Sequence, residues 1–133
     1  MTENTPTRTI LVAHNGGLFG AERSLLSLAQ GLHNSAAFEP LVLVPHEGSL
    51  ADRCREQDIP VCSGDYRQWV SSRRRVAGVI KRTLLNLRAW WQLSAKLAKF
   101  SPHVVYTGTG TTSFGAAIAR RLGIPHVWHL REF

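Results

Sequence analysis

The run Thr9–His14 (TILVAH) leads into Asn15-Gly16-Gly17-Leu18-Phe19-Gly20, which leads in turn into AERSLLSLAQGLH. A short β-branched apolar run, a glycine-rich turn and a segment with apolar residues at helical spacing (Leu25, Leu28, Ala29, Leu32) make a strand, a loop and a helix. The same alternation continues. Pro40–Val44 (PLVLV) reads as a second buried strand stopped by Pro45, and Ser49 is placed to cap a short helix reaching Gln57. Ile59–Cys62 (IPVC) reads as a third strand, Arg73–Phe100 as a long helix, and His103–Thr107 (HVVYT) as a fourth strand. The loop Gly108-Thr109-Gly110-Thr111-Thr112 comes next, then a helix over Ser113–Leu122 with Gly123 as its stop, then Pro125–Leu130 (PHVWHL) as a fifth strand.

Strands that alternate with helices form a parallel sheet covered on both faces, because right-handed crossovers lay a helix over each strand pair. The expected fold is therefore α/β, a Rossmann-like doubly wound parallel sheet with strand order 3-2-1-4-5. Ligands of such a sheet bind beyond the carboxyl ends of strands 1 and 4, where the loops part. The two glycine-rich loops follow those two strands. Glycine lets a backbone approach a ligand closely, and a helix N-terminus offers free N–H groups to an anion, so a phosphate-bearing ligand is the natural candidate. Tight turns alone would also account for the glycines.

The 133 residues suit one domain, and 44% hydrophobic content is enough to build a core. The formal charge of +7 is unevenly placed. Residues 1–65 carry 4 basic and 8 acidic side chains, whereas residues 66–131 carry 12 basic and none acidic. On a helical wheel Arg74, Lys81, Arg82, Arg88, Lys96 and Lys99 share one face, and Val76, Ile80, Leu87, Trp90, Trp91 and Leu97 share the other. Two readings stay open: a sheet-packing helix with a solvated outer face, and an anionic membrane surface met by Arg74, Lys81, Arg82 and Arg88 with Trp90 and Trp91 near the interface. No helix-turn-helix or RNA-recognition pattern accompanies the charge, so no nucleic-acid partner is expected.

Other chemistries fail on spacing. Cys54 and Cys62 form neither a zinc ribbon nor a disulfide framework and read as free, inert thiols. Gly16-Gly17-x-x-Gly20 is not a dinucleotide fingerprint, and neither a P-loop nor a nucleophile elbow is present. His14, His46 and His129 sit at carboxyl ends of strands, without the carboxylate or thiolate company that a zinc site wants, so no metal and no cofactor is expected. No signal peptide or membrane span is read, and the expected location is cytoplasmic, with peripheral attachment at the inner face of the membrane as the extension of the basic helix.

Several of these segments together resemble a known family. Ile10–Gly17 leading to Gly20-Ala21-Glu22-Arg23-Ser24-Leu25, then Phe38-Glu39-Pro40, Glu47-Gly48-Ser49-Leu50, Gly123-Ile124-Pro125 and Trp128-His129-Leu130-Arg131-Glu132 resemble the N-terminal domain of family 4 glycosyltransferases with the GT-B fold. The resemblance implies an acceptor-side domain facing a nucleotide-sugar-binding C-terminal domain, with retaining, metal-independent transfer to a glycan or lipid-linked glycan in the cleft between them. It implies His129 as the catalytic residue, Gly16, Gly17 and Gly20 near the donor phosphate or sugar, and His14, Asn15, Glu22, Thr109, Arg131 and Glu132 as acceptor-side or supporting residues. The chain departs from the pattern in one respect: many members have Gly-Gly directly before Ala-Glu, where this one has Phe19-Gly20. Residues 1–133 are then expected to be a partial N-terminal domain, inactive alone because the donor domain is absent. The alternative is a non-enzymatic Rossmann-like module whose glycine loops hold a small phosphate-containing ligand.

Overall fold

A computed structural model of the chain describes residues 5–64, 88, 91–108 and 114–129. Among these, five parallel strands form one sheet in the order β3-β2-β1-β4-β5. The strands are β1 (Thr7–Val12), β2 (Phe38–Val44), β3 (Val61–Ser63), β4 (Val104–Thr107) and β5 (His126–Trp128). The helices are α1 (Gly20–His33), α2 (Ser49–Glu56), α3 (helical residues 91–100) and α4 (Phe114–Leu122). The doubly wound order expected from the alternation is the order observed.

Successive residues of β1 point to opposite faces, and both faces are buried. Ile10 and Val12 join Leu41, Leu43, Leu93, Leu97, Val105 and Ile118 in the layer under α3 and α4. Leu11 and Ala13 join Leu25, Ala29, Val42, Val44, Leu50 and Cys54 in the layer under α1 and α2. Each fully buried Leu or Ile contributes about 2 kcal/mol by leaving water, which is why the central strands read as unbroken apolar runs rather than alternating ones. Pro40 is tolerated inside β2 for a positional reason. The Val42 N–H donates to the Pro60 carbonyl at 3.0 Å on the β3 side, and residue 40 faces that same side before β3 has begun, so no ladder bond is lost.

The structure adjusts several expected ends. β1 starts and stops two residues earlier than TILVAH suggested, leaving Ala13 and His14 just beyond the strand, and β5 is limited to His126–Trp128. Ser49 is the first helical residue of α2 and not its cap: Gly48 occupies the cap position, no side chain caps the helix, and the helix ends at Glu56. The Gly48 backbone presses against Gly16, where a Cβ would lie 2.6 Å from the Gly16 carbonyl oxygen, so this corner is set by loop-to-loop packing. Gly123 does close α4, at φ +67°, with the Ile124 N–H returning to the Ala119 carbonyl at 3.0 Å.

The described part of the basic helix bears on its two faces. Leu93, Ser94 and Leu97 are buried against the sheet, while Arg88, Lys96 and Lys99 are exposed. Trp91, placed on the apolar face from the sequence, is instead 58% exposed. It lies at the margin of the buried arc, and the Arg121 guanidinium covers its ring 4.9 Å from the centroid. Arg74, Lys81, Arg82 and Trp90 lie outside the described residues. No helix among the described residues is long and apolar enough to cross a membrane.

Candidate functional site

The carboxyl edge of the sheet gathers the residues singled out in the sequence. β1 delivers Ala13, His14 and Asn15 to this edge, and the Asn15 side-chain oxygen accepts the Gly17 N–H at 3.1 Å, turning the chain. The loop is then tied sideways. The Gly16 carbonyl accepts the Leu50 N–H at 3.0 Å, and a Cβ at position 16 would lie 2.5 Å from the His46 ring. Gly16 thus has a packing reason to be glycine in this fold. At Gly17 a Cβ would stand 2.9 Å from the Phe19 ring, whereas Gly20 opens α1 with no atom within 4 Å of where its Cβ would be. Phe19 precedes the helix in extended conformation and caps it with no side-chain bond.

Glu22 is the third residue of α1, and its side chain turns inward. It is 1% exposed, and the His14 Nδ1 stands 2.8 Å from its Oε1. The approach is close in distance but is not an aligned hydrogen bond, and both carboxylate oxygens lack a hydrogen-bond partner among the described residues. The two side chains, with Val12, Ala13, Ala21, Leu25 and Gly108, line a recess of about 10 Å³, the size of one water site. Gly108, the first residue after β4, thus shares this recess with Ala13 and His14, the first residues after β1. Thr109, Arg131 and Glu132 lie outside the described residues.

On the other side of β4, two imidazoles are held by their neighbours. The Tyr106 hydroxyl and His129 Nδ1 share a 2.8 Å hydrogen bond, and the His129 N–H donates to the Thr107 carbonyl at 2.9 Å, carrying the β4–β5 ladder one residue past the strand. Thr107 Oγ1 and His126 Nε2 share a 2.7 Å hydrogen bond on the opposite face, and burial pushes the His126 imidazole below its ordinary range. His14, His46 and His129 all stand at the carboxyl edge, where the alternation placed them. His46 turns to its own loop, its Nδ1–H donating to the Glu47 carbonyl at 3.1 Å, while Glu47 takes both arms of Arg55 at 2.6 and 2.8 Å. No group of three or more His, Cys, Asp or Glu able to hold a metal ion occurs among the described residues.

Sequence reasoning missed Tyr106, Thr107 and Gly115. A side chain at Gly115 would run into Thr107 Oγ1 and would sit 3.2 Å from Val12 and 3.3 Å from His126 Nε2, so this glycine lets α4 lie against the end of β4. The parallel register offered a signal for Tyr106: it pairs with Val127, and a residue two beyond Val127 falls on the same face.

Residues 19–133 match the glycosyl transferase 4-like domain. The chain belongs to that family. Among curated proteins none matches it. Solved structures agree on the fold. MurG of Acinetobacter baumannii superposes with a TM-score of 0.71 at 22% identity over 94% of this chain and 35% of that one. Alr3699/HepE of Anabaena, solved with UDP and glucose, gives 0.61 at 19% identity over 95% of this chain and 30% of its own length. A UDP-glucosyltransferase of Polygonum tinctorium gives 0.59 at 14% identity over 97% of this chain and 30% of that one. The glycosyltransferase domain thus spans about a third of the length of these structures.

Proposed function

We propose that this domain forms the acceptor-side wall of a glycosyltransferase that moves a sugar from a nucleotide sugar to a glycan or lipid-linked glycan. The observation that carries this reading is His129, exposed at the carboxyl edge and held there by Tyr106 and the Thr107 carbonyl. The family match supports transfer as the reaction class, and the UDP and glucose named for the Anabaena protein support a nucleoside diphosphate sugar as donor. In this reading a second domain binds the nucleotide, His129 meets the reacting sugar, and transfer proceeds with retention and without a divalent metal. The loop Asn15–Gly20 lies toward the donor phosphates, with Gly17 and the open Gly20 better placed for close approach than Gly16, which is occupied by His46. His14, Asn15, Glu22, Thr109, Arg131 and Glu132 support the site from the acceptor side. The exposed Arg88, Lys96 and Lys99 belong to a cationic face suited to an anionic membrane surface, where a lipid-linked acceptor would be met.

Catalysis by positioning needs both walls of a cleft, so the 133-residue chain alone transfers no sugar and binds nucleotides weakly. Calorimetry with UDP, UDP-glucose and inorganic phosphate is expected to give dissociation constants weaker than about 1 mM, the range of a few kcal/mol of binding. Micromolar binding would point instead to a self-sufficient phosphate-binding module. In a two-domain enzyme carrying this domain, His129→Ala lowers turnover by at least ~10²-fold, the loss expected for a positioned proton-transfer or hydrogen-bonding group. Near-normal turnover would overturn the assignment. Co-sedimentation with anionic and neutral vesicles tests the basic face, and equal, negligible binding to both removes the membrane from the proposal.

A further inference from the structure

Tyr106 and His129 lie on one face of the sheet by register. Tyr106 pairs with Val127, so residue 129 is its diagonal neighbour across the parallel ladder. The Tyr106 ring packs against the core layer under α1 and α2, which fixes where its hydroxyl ends, and that hydroxyl lies 2.8 Å from His129 Nδ1 with the two rings 62° apart. The backbone of His129 is separately pinned by its N–H bond to the Thr107 carbonyl. With main chain and Nδ1 both held, the ring has one orientation left.

A phenol hydroxyl is a better donor than acceptor, and a neutral imidazole carries its proton on the nitrogen that is not accepting. We propose that Tyr106 is a positioning residue which donates to Nδ1 of His129 and so holds the ring as its Nε2–H tautomer, presenting one N–H donor to an oxygen of the sugar or of its leaving phosphate. This rests on the proposed role of His129, whose ring would otherwise be free to rotate about its side-chain bonds and to exchange tautomers. Among the described residues Nε2 has no partner, which leaves it available for that contact.

Long-range proton–nitrogen spectra of the 133-residue chain, with histidine labelled in the ring nitrogens and held at a pH where His129 is neutral, test this without any catalysis. The wild-type spectrum is expected to show His129 Nδ1 unprotonated and Nε2 protonated, with well-separated nitrogen shifts. Tyr106→Phe keeps the ring that packs on the core and removes only the hydroxyl. It is expected to draw the two nitrogen shifts toward each other as the ring exchanges tautomers, while backbone amides away from β4 and β5 stay in place. A proton on Nδ1 in the wild type, or identical His129 ring shifts in Tyr106→Phe, would overturn the proposal. The sugar-transfer rate of His129→Ala is a separate measurement, so a failure of the positioning role and a failure of the catalytic reading are told apart.

Discussion

The His14 imidazole and the Glu22 carboxylate meet at 2.8 Å across the loop that joins β1 to α1, with Glu22 almost wholly buried and His14 at its open side. A buried carboxyl group is costly when its nearest polar neighbour is removed, yet an apolar replacement of similar volume often costs little, because the desolvation penalty disappears with the polar group. His14→Ala is therefore expected to destabilise the chain by about 1–3 kcal/mol, because it takes away the polar group closest to the buried Glu22 carboxyl and leaves a gap beside it. Glu22→Met is expected to change stability by less than about 1 kcal/mol or to raise it. Urea unfolding of the two variants checks the asymmetry, and equal effects of the two substitutions would contradict it.

The close approach of α4 to β4 predicts unequal costs for two glycines. Gly115→Ala forces a methyl against Thr107 Oγ1 and is expected to cost about 1–3 kcal/mol, as overpacking does in a filled layer. Gly20→Ala meets nothing and replaces the poorer helix former at the first position of α1, so stability is expected to hold or to rise by up to about 1 kcal/mol. Thermal melts of both variants decide it. Equal effects would mean that α4 does not seat against Thr107.

His126 supplies a pH dependence. Burial lowers its pKa in the folded chain below the ordinary 6.5, so the folded state favours the neutral ring. Above 6.5 both states are neutral and the preference has no effect. As the pH falls below 6.5 the unfolded chain takes up the proton first, stability declines, and the decline stops once the pH passes the lowered folded value. Comparing denaturant midpoints of wild type and His126→Gln from pH 7.5 to about pH 4.5 isolates this contribution from that of the other histidines. A constant difference across the range would contradict it.

The two thiols are expected to differ in reactivity. Burial pushes Cys54 up to about 11, while Cys62, which is partly exposed, is raised by burial and lowered by Lys96. At pH 8 a thiol of pKa about 11 is only about 0.1% thiolate, and the core covers it besides. Iodoacetamide followed by mass spectrometry should label Cys62 first and Cys54 only as the chain unfolds. Equal labelling rates under native conditions would sink the assignment of Cys54 to the core.

Much of the architecture was legible from order and period. The alternation of apolar runs, the glycine-rich turn behind strand 1 and the stop at Gly123 each follow from a local rule, and among the described residues each is found where that rule put it. Element ends were less legible. TILVAH runs past the strand because Ala13 is buried between layers even where β1 has ended, and burial of that kind is invisible to periodicity. Ser49 looked like a cap because its hydroxyl chemistry suits one, yet the packing of Gly48 on Gly16 set the helix start. Trp91 fell on the apolar arc of a wheel with Leu97, but α3 buries Leu93, Ser94 and Leu97 and leaves Trp91 at the margin, where Arg121 covers its ring.

By itself, the sequence determined that this chain winds strands and helices alternately, that its central strands are apolar throughout, and that His14, His46 and His129 stand at the carboxyl edge. Those properties depend on side-chain chemistry and period, both written along the chain. Only the tertiary structure decided that Glu22 turns inward to His14, that Tyr106 reaches His129 and that Thr107 reaches His126. The partners in these pairs lie 8, 23 and 19 residues apart. Their meeting depends on the register between parallel strands and on how closely α1 and α4 approach the sheet, quantities set by packing of the whole layer and by no local pattern.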